Sequence, residues 1–173
     1  MTQALLELRQ ITVSFDGFLA LRELNLSLQP GELRAVIGPN GAGKTTFLDV
    51  VTGKTAPTHG AVGFKGRSLV GRREHRIARL GVGRKFQSPR VFEKLTVQDN
   101  LALAVSQPKQ PWSLLFGGLN AKQRDRVQHL MGIVNLQHRS HWAAGSLSHG
   151  QKQWLGIAML VGQDPDLLLV EAP

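Results

Sequence analysis

Residues 38–45 of the chain read Gly38-Pro39-Asn40-Gly41-Ala42-Gly43-Lys44-Thr45, which matches the pattern G-x-x-x-x-G-K-[ST] without a gap. In such a loop, main-chain N–H groups close around phosphate oxygens, and a side chain at a glycine position would block their approach. Lys44 can neutralise β and γ oxygens, and Thr45 can offer its hydroxyl to Mg²⁺ at the positive end of the following helix. The stretch therefore predicts a site for a nucleoside triphosphate.

The segments on either side of this loop have the patterns of a strand and a helix. Leu33 to Ile37 is a short, mostly apolar run that ends at Gly38, as is typical of a buried parallel strand. Thr45 to Thr52 predicts a helix that is ended by Gly53. The alternative, a glycine-rich turn that binds nothing, is disfavoured by this strand–loop–helix context.

Strand patterns surround this unit in the first half of the chain. Ala61 to Lys65 and Val82 to Gln87 resemble strands, and Arg72 to Leu80 resembles a basic helix. Upstream, an apolar alternation predicts two strands of a half-buried sheet that ends at the Pro30-Gly31 turn. Its members are Leu6, Leu8, Ile11, Val13, Phe15, Leu19, Leu21, Leu24, Leu26 and Leu28.

The second half of the chain has a helical period. Helices are predicted around Leu95 to Val105, over Lys122 to Val134 and over Ser148 to Val161, followed by a buried strand over Leu167 to Val170. An α/β domain with a helical insertion would produce this order of elements. The residues of the third helix predicted to face inward are Trp154, Leu155, Ala158 and Met159.

Length and composition limit the possible classes of protein. The 173 residues suffice for one domain with a real core, and 42% hydrophobic with 19% charged residues is typical of a globular protein. The absence of cysteine excludes disulfides, thiolate zinc sites and a thiol nucleophile, and fits a reducing compartment. The longest mostly apolar run, Trp154 to Gly162, is too short to span a bilayer, and the N-terminus does not resemble a secretory signal.

Most of the net charge of +9 lies in one stretch, Lys65 to Lys94, which holds ten basic residues and two acidic ones. Such a stretch can face nucleic acid, anionic lipid headgroups or an acidic protein, or it can be a solvated face. The basic residues are Lys65, Arg67, Arg72, Arg73, Arg76, Arg79, Arg84, Lys85, Arg90 and Lys94.

Four motifs, in order, resemble those of the ATP-binding subunit of ABC transporters. After the Walker A loop, Phe86-Gln87-Ser88 resembles the Q-loop, and Leu147-Ser148-His149-Gly150-Gln151 resembles the LSGGQ signature with His for the first Gly. Leu167 to Pro173 resembles Walker B. The resemblance implies a P-loop NTPase of the α/β class with an N-terminal antiparallel β region and an inserted helical subdomain, incomplete at the C-terminus. The expected parts of the chain are an ATP-binding core at 1–87 and a helical subdomain at 88–147. The signature helix and the Walker B strand at 148–173 are expected to belong to the core again.

Two longer segments narrow the resemblance further. GRKFQSPRVFEKLTVQDNLALA and SLSHGQKQWLGIAML are similar to the branched-chain amino acid and urea uptake branch, and most similar to its urea-type member. In that family the substrate is chosen by membrane and periplasmic subunits, so the motor domain does not identify it.

The resemblance also implies roles for single residues. Phe15 would stack on adenine, with a core phenylalanine as the alternative, and Gln87 would sense the γ-phosphate, Mg²⁺ and the attacking water, with a polar strand-end residue as the alternative. Ser148 would begin a second anion site that closes on ATP held by the other subunit, with a simple helix cap as the alternative. The implied nucleotide contacts are Phe15, Gly38, Pro39, Asn40, Gly41, Ala42, Gly43, Lys44, Thr45, Thr46, Gln87, Ser148, His149, Gly150 and Gln151. The implied Mg²⁺ contacts are Thr45, Gln87 and Glu171.

The chain departs from the family pattern in Walker B. Glu171 stands where the magnesium-organising aspartate is expected, and Ala172 stands where the catalytic glutamate is expected. The extra methylene of Glu171 moves its carboxylate by about 1.5 Å, and Ala172 cannot act as a base. Catalytic roles are therefore expected only for Gln87 and Glu171, with impaired hydrolysis. An error in the last codons would produce the same departure.

The implied partners are a second nucleotide-binding subunit arranged head-to-tail, two membrane permease subunits and, indirectly, a periplasmic solute-binding protein, at the cytoplasmic face of the membrane. Nothing after Pro173 supplies a D-loop or switch histidine, and the last strand lacks a following neighbour, so a fragment of a longer chain is expected. The alternatives are a nucleotide-gated regulator that does not hydrolyse ATP and a soluble ABC-type ATPase that acts on nucleic acid.

Overall fold

The computed structural model describes residues 3–85, 91–106 and 118–171. They divide into two units, Met1–Val82 and Gly83–Pro173. The domain boundaries predicted after Gln87 and after Leu147 stay predictions. In the described part of the chain, no helix is both long and apolar enough to cross a membrane.

The first unit consists of four strands and two helices. They are β1 (Leu6–Phe15), β2 (Phe18–Leu28), α1 (Lys44–Thr52), β3 (His59–Phe64), β4 (Arg67–Ser68) and α2 (Glu74–Arg79). The strands form an antiparallel sheet with the order β2-β1-β3-β4. Apolar side chains from β1, α1 and β3 form the core of this unit, as the alternation of β1 predicts.

The first two strands are joined by the tight turn Asp16-Gly17. Asp16 has a φ of 47° and Gly17 a φ of 88°, and Phe15 pairs with Phe18 across the turn. Two consecutive left-handed residues are what a two-residue type I′ hairpin requires, and Asp-Gly is among its favoured sequences. The turn thereby fixes the register of β1 and β2 and places Phe15 at the end of the hairpin.

A β-bulge explains why the apolar alternation in β1 skips a residue. The register shifts between Leu8 and Ile11, and Gln10 at this point has a φ of 51°. The N–H of Gln10 donates to Oδ1 of Asn25 at 2.9 Å. Because the extra residue restores the pleat, Leu8 and Ile11 are both buried on the same face although they are three residues apart.

The strand predicted over Leu33 to Ile37 is wrong for this structure. The segment belongs to neither sheet, and Leu33 and Ile37 are 97% and 92% exposed. A buried strand needs hydrogen-bonding neighbours as well as apolar side chains. The described residues provide no neighbouring strand for this segment, so the apolar run alone does not form one.

The second unit is mainly helical. Its elements are β5 (Val82–Lys85), α3 (Val97–Val105), α4 (Ala121–Ile133), α5 (His149–Gly162) and β6 (Leu167–Val170), with short 3₁₀ turns at Gln137–Arg139 and Ala144–Ser146. Its sheet contains only β5 and β6 among the described residues, and the core lies between α3, α4 and α5. The side chains of this core include Val97, Leu101, Val127, Leu130, Met131, Leu155 and Ala158.

Two burial predictions in this unit are wrong. Trp154 was expected to face inward but is 57% exposed, because the buried stripe of α5 runs at helical spacing through Leu155, Ala158, Met159 and Gly162. The strand β6 was expected to be fully buried, but Leu167 and Leu169 are buried while Leu168 and Val170 are exposed. Its second face has no covering element in the described residues, so the strand shows the alternation of a half-buried strand.

Candidate functional site

The loop before α1 has the backbone geometry of a phosphate cradle. A turn connects the carbonyl of Pro39 to the N–H of Ala42 at 3.2 Å, with Gly41 at a φ of 83°. Gly43, at a φ of 84°, then leads into the first turn of α1. Left-handed backbone at both glycines carries no steric cost, so the loop can present its main chain to an anion at the N-terminus of the nine-residue helix α1.

Packing alone requires glycine at position 43. A Cβ atom at Gly43 would lie 2.5 Å from the carbonyl oxygen of Ala20 and 2.8 Å from Cδ2 of Leu21. The buried loop residue thus sits directly against the backbone of β2. The close approach holds the end of the loop in place against β2.

Lys44 reaches back over the loop that precedes it. Its Nζ donates to the carbonyl oxygen of Gly38 at 2.6 Å and to that of Pro39 at 2.8 Å. Thr45 is exposed and Thr46 half-buried in the same first turn. The Lys44 ammonium group and a glycine-rich main chain therefore lie together at the N-terminus of α1, and these are groups that bind phosphate oxygens. The residues predicted for the cradle, Gly38, Pro39, Asn40, Gly41, Ala42, Gly43, Lys44, Thr45 and Thr46, all lie here.

Phe15 lies at the tip of the first hairpin and is 48% exposed. The alternative that it is a core residue is therefore wrong. Its partner across the turn, Phe18, is also exposed, so the hairpin end offers two aromatic faces to solvent. A ring in this position can stack on a flat heterocycle, although stacking on adenine stays a prediction.

The signature-like segment forms the N-terminus of α5 in the second unit. Ser148 is the N-cap, and its Oγ accepts from the N–H of Gln151 at 3.3 Å. The N–H of Ser148 donates to Oε1 of Gln151 at 3.1 Å, which completes a capping box. His149 and Gly150 are exposed in the first turn. Ser148 therefore caps α5, which leaves other N–H groups of this turn without a partner inside the helix, and its role at a second anion site stays a prediction.

Two cations flank the start of this helix. Arg139 donates to Oε1 of Gln151 at 3.2 Å and lies 4.5 Å from the ring centroid of Trp142. Lys152 donates to Oε1 of Glu93 at 2.8 Å, and this hydrogen bond lowers the pKa of the Glu93 carboxyl. These contacts join the first turn of α5 to the segments before it and fix its orientation.

Glu171 directly follows β6 and forms an ion pair with Arg84 of β5. The Nη2 of Arg84 lies 3.3 Å from Oε2 of Glu171, and the two side chains are only 6% and 16% exposed. As arranged, this carboxylate faces a guanidinium group, and the Mg²⁺ role expected for Glu171 stays a prediction. Among the described residues there is also no cluster of three or more His, Cys, Asp or Glu side chains. Gln87 and Ala172 lie outside the described residues.

Two residues of this region were missed by sequence reasoning. Arg84 was counted only as part of the basic stretch, but it is buried and ion-paired, so it does not belong to a solvated surface. Asn100 is fully buried, and its side chain accepts from the N–H of Phe92 at 2.8 Å and donates to the Phe92 carbonyl at 3.0 Å. Thr96 caps α3 by accepting from the N–H of Asp99, and this pair of residues could have indicated where the helix starts. Nothing in the local sequence indicates the contact between Asn100 and Phe92.

The sequence matches a known protein family. The family described as ABC transporter matches residues 21–173. The branched-chain amino acid transport ATP-binding protein LivG of Escherichia coli K12 is 35% identical, over 100% of this chain and 71% of LivG. The branched-chain amino acid transport ATP-binding protein BraF of Pseudomonas aeruginosa is 34% identical, over 100% of this chain and 71% of BraF. The phosphonates import ATP-binding protein PhnC of Alcaligenes faecalis is 37% identical, over 98% of this chain and 62% of PhnC.

A solved cassette has the same fold. The ADP conformation of MJ1267, an ATP-binding cassette of an ABC transporter, aligns with a TM-score of 0.75 at 27% identity, over 96% of this chain and 68% of that one. The prediction of a P-loop NTPase fold of the ABC type is thereby confirmed.

Proposed function

The chain belongs to the ABC transporter family of ATP-binding subunits, and on this premise we propose that it binds ATP in the loop 38–45 and hydrolyses it slowly. The observation that carries the proposal is the preformed cradle, in which Gly43 packs against β2 and Lys44 reaches over the loop. The β and γ phosphates would lie against the loop N–H groups and replace the carbonyls as partners of Lys44. Mg²⁺ would meet the Thr45 hydroxyl and the phosphate oxygens, with Gln87 as a further contact.

Slow hydrolysis follows from the residue at position 172. An alanine there cannot accept a proton from the attacking water, and the loss of a positioned base costs about 10²–10⁴-fold in rate. The remaining catalytic contribution comes from charge stabilisation by Lys44 and from the polar group of Gln87.

Single-turnover hydrolysis tests this proposal. We compare the unmodified chain with Ala172→Glu, in complex with its transporter partners, and use Ala172→Gln as a control of similar size that lacks the carboxylate. Ala172→Glu is expected to be about 10²–10⁴-fold faster, and Ala172→Gln to stay slow. Equal rates for the unmodified chain and Ala172→Glu would contradict the proposal.

For the assembly we propose a peripheral subunit on the cytoplasmic membrane face. Two nucleotide-binding subunits would lie head-to-tail, so that Ser148, His149, Gly150 and Gln151 of one approach the nucleotide of the other. They would drive two permease subunits, and a periplasmic solute-binding protein would deliver the solute to those subunits. The exposed first turn of α5 supports this arrangement. Co-purification with permease subunits tests the membrane partners, and sedimentation of the chain with and without ATP tests the head-to-tail pair. Failure to co-purify with permease subunits, or a chain that stays monomeric with ATP, would contradict the arrangement.

The transported solute is proposed to be small and polar. LivG and BraF are named for branched-chain amino acid transport, which favours that class, while the segments SLSHGQKQWLGIAML and GRKFQSPRVFEKLTVQDNLALA favour urea. Uptake of labelled leucine and of labelled urea, measured in cells that contain the chain with its permease subunits, distinguishes the two.

A second function is favoured by Ala172 itself: a regulatory subunit that binds ATP without hydrolysing it. Such a subunit would support transport only beside an active partner subunit. Transport that depends on Lys44 but not on hydrolysis by this chain would identify it.

A further inference from the structure

The basic stretch of the sequence is not one surface in the structure. Arg84 is buried in an ion pair, whereas five arginines of the first unit are exposed. They lie on β4, on α2 and in the segment that joins these elements, and the proposed function does not use them. These five residues form the arginine patch: Arg67, Arg72, Arg73, Arg76 and Arg79.

A turn brings the start of α2 to the end of β4. Nε of Arg72 donates to the carbonyl oxygen of Ser68, the residue that follows Arg67 on β4. The N–H of Arg72 donates to the carbonyl oxygen of Leu69 at 3.0 Å, and the next residue, Arg73, is the N-cap of α2. These contacts hold the first three members of the patch close together.

The other two members lie on the exposed side of α2. Arg76 and Arg79 are three residues apart, so they are neighbours on the helix surface. Ile77 of the same helix is buried, and the helical period directs Arg76 and Arg79 away from it. The segment from Arg67 to Arg79 contains one acidic residue, Glu74.

No member of the arginine patch is paired with a carboxylate among the described residues. Neighbouring like charges repel each other, so this arrangement opposes the compact state of the unit. A polyanion placed against the patch would remove the repulsion. Because every member is an arginine, and a guanidinium group holds a phosphate through two parallel hydrogen bonds, the patch is suited to a surface that carries phosphates.

Two features favour a membrane over a nucleic acid as this surface. Val70 lies in the turn between Ser68 and Arg72 and is 44% exposed. An apolar side chain surrounded by cations can enter the boundary between lipid headgroups and acyl chains. The segment 65–79 also contains no Phe, Tyr or Trp on which a base could stack.

We propose that the arginine patch binds the headgroups of an anionic membrane surface, with Val70 at the headgroup boundary. This contact goes beyond the proposed function, in which permease subunits alone would hold the chain at the membrane. It does not require nucleotide in the loop 38–45, so the two proposals can fail separately.

Sedimentation of the full chain with lipid vesicles tests the contact. One set of vesicles is phosphatidylcholine with about 30% phosphatidylglycerol, and the other is phosphatidylcholine alone. Binding to the anionic vesicles only is expected, and it should weaken strongly between about 0.05 M and 0.5 M NaCl, because salt screens exposed charges. Absence of binding, or equal binding to both sets, would overturn the inference.

Paired substitutions show whether binding depends on the patch or on net charge. The double variant Arg76→Gln with Arg79→Gln is expected to bind anionic vesicles about 25-fold more weakly, at about fivefold for each charge at the surface. The control, Arg22→Gln with Lys122→Gln, removes the same charge from exposed positions outside the patch. Arg22 lies on β2, at the opposite edge of the sheet from β4, and Lys122 lies in the second unit. Equal losses in the two double variants would overturn the inference.

Val70→Ser and a DNA duplex of about 20 base pairs distinguish a membrane from a nucleic acid. Val70→Ser is expected to bind anionic vesicles about threefold or more weakly, because an apolar side chain no longer leaves water. Unchanged vesicle binding by Val70→Ser would contradict its place at the headgroup boundary, and with it the choice of a membrane. Tighter binding of the unmodified chain to the duplex than to anionic vesicles, at equal phosphate concentration, would assign the patch to nucleic acid and overturn the inference.

Thermal unfolding shows whether each variant is folded, and Arg67→Gln with Arg73→Gln carries the same test if the variant of α2 is not. ATP binding is expected to be unchanged in the variants of the patch. Vesicle binding without ATP binding by the unmodified chain would overturn the proposed function alone. ATP binding without vesicle binding would overturn this inference alone.

Discussion

At the scale of single residues, Gly43 shows that a motif position can be required for two reasons. The pattern G-x-x-x-x-G-K-[ST] explains its glycine by the approach of phosphate. The structure adds a second reason, because the Ala20 carbonyl oxygen lies 2.5 Å from where a Cβ would be. Phosphate binding and packing of the loop on β2 therefore depend on the same missing side chain.

Gly43→Ala is expected to lower both stability and nucleotide affinity. The new Cβ must displace backbone in a left-handed residue, which costs about 1–3 kcal/mol in the free energy of unfolding. Gly31→Ala is the matched control, since Gly31 is also left-handed with a φ of 75° but would place its Cβ in open space. Denaturant unfolding and ATP binding measure the two effects. A Gly43→Ala protein as stable as Gly31→Ala would contradict the packing argument.

At the scale of elements, helices α4 and α5 begin with the same capping box. Asn120 and Gln123 form it in α4, and Ser148 and Gln151 form it in α5. Only α5 carries the signature-like segment. Comparing the two caps by substitution therefore distinguishes the contribution of a cap to stability from a role in nucleotide binding.

Ser148→Ala and Asn120→Ala are each expected to lower the free energy of unfolding by about 1 kcal/mol, because each removes one capping hydrogen bond. Only Ser148→Ala is expected to weaken ATP-dependent dimerisation, measured by sedimentation of the chain with and without ATP. Equal loss of dimer in the two variants would mean that Ser148 acts only as a cap.

Truncation of two neighbouring residues of α5 is expected to lower stability by very different amounts. Leu155 is fully buried, so Leu155→Ala is expected to lower the free energy of unfolding by about 2–5 kcal/mol. Trp154→Ala is expected to cost well under about 1 kcal/mol, as is usual for exposed positions. Thermal or urea unfolding compares the two, and a larger loss for Trp154→Ala would contradict the burial described here.

At the scale of the whole molecule, the sequence predicted the class of fold well because ordered motifs and long periodic segments are local signals. The hairpin, α1, α4 and α5 all lie where their patterns indicated. The segment 33–37 did not form a strand, because a strand depends on neighbours that no local pattern describes. The pair Arg84–Glu171 could not be predicted either, since its members are 87 positions apart and only the sheet brings them together.

The most direct test of the account is the affinity of the chain for ATP with and without the Lys44 ammonium group. Lys44→Ala is expected to bind ATP about 10–100-fold more weakly, the size of effect of a lost charged hydrogen bond. Lys54→Ala is the matched control, because Lys54 lies just beyond the other end of α1, paired with Asp49, and its loss changes the net charge equally. Weak binding by Lys44→Ala with normal binding by Lys54→Ala is the predicted result, and unchanged binding by Lys44→Ala would contradict the account.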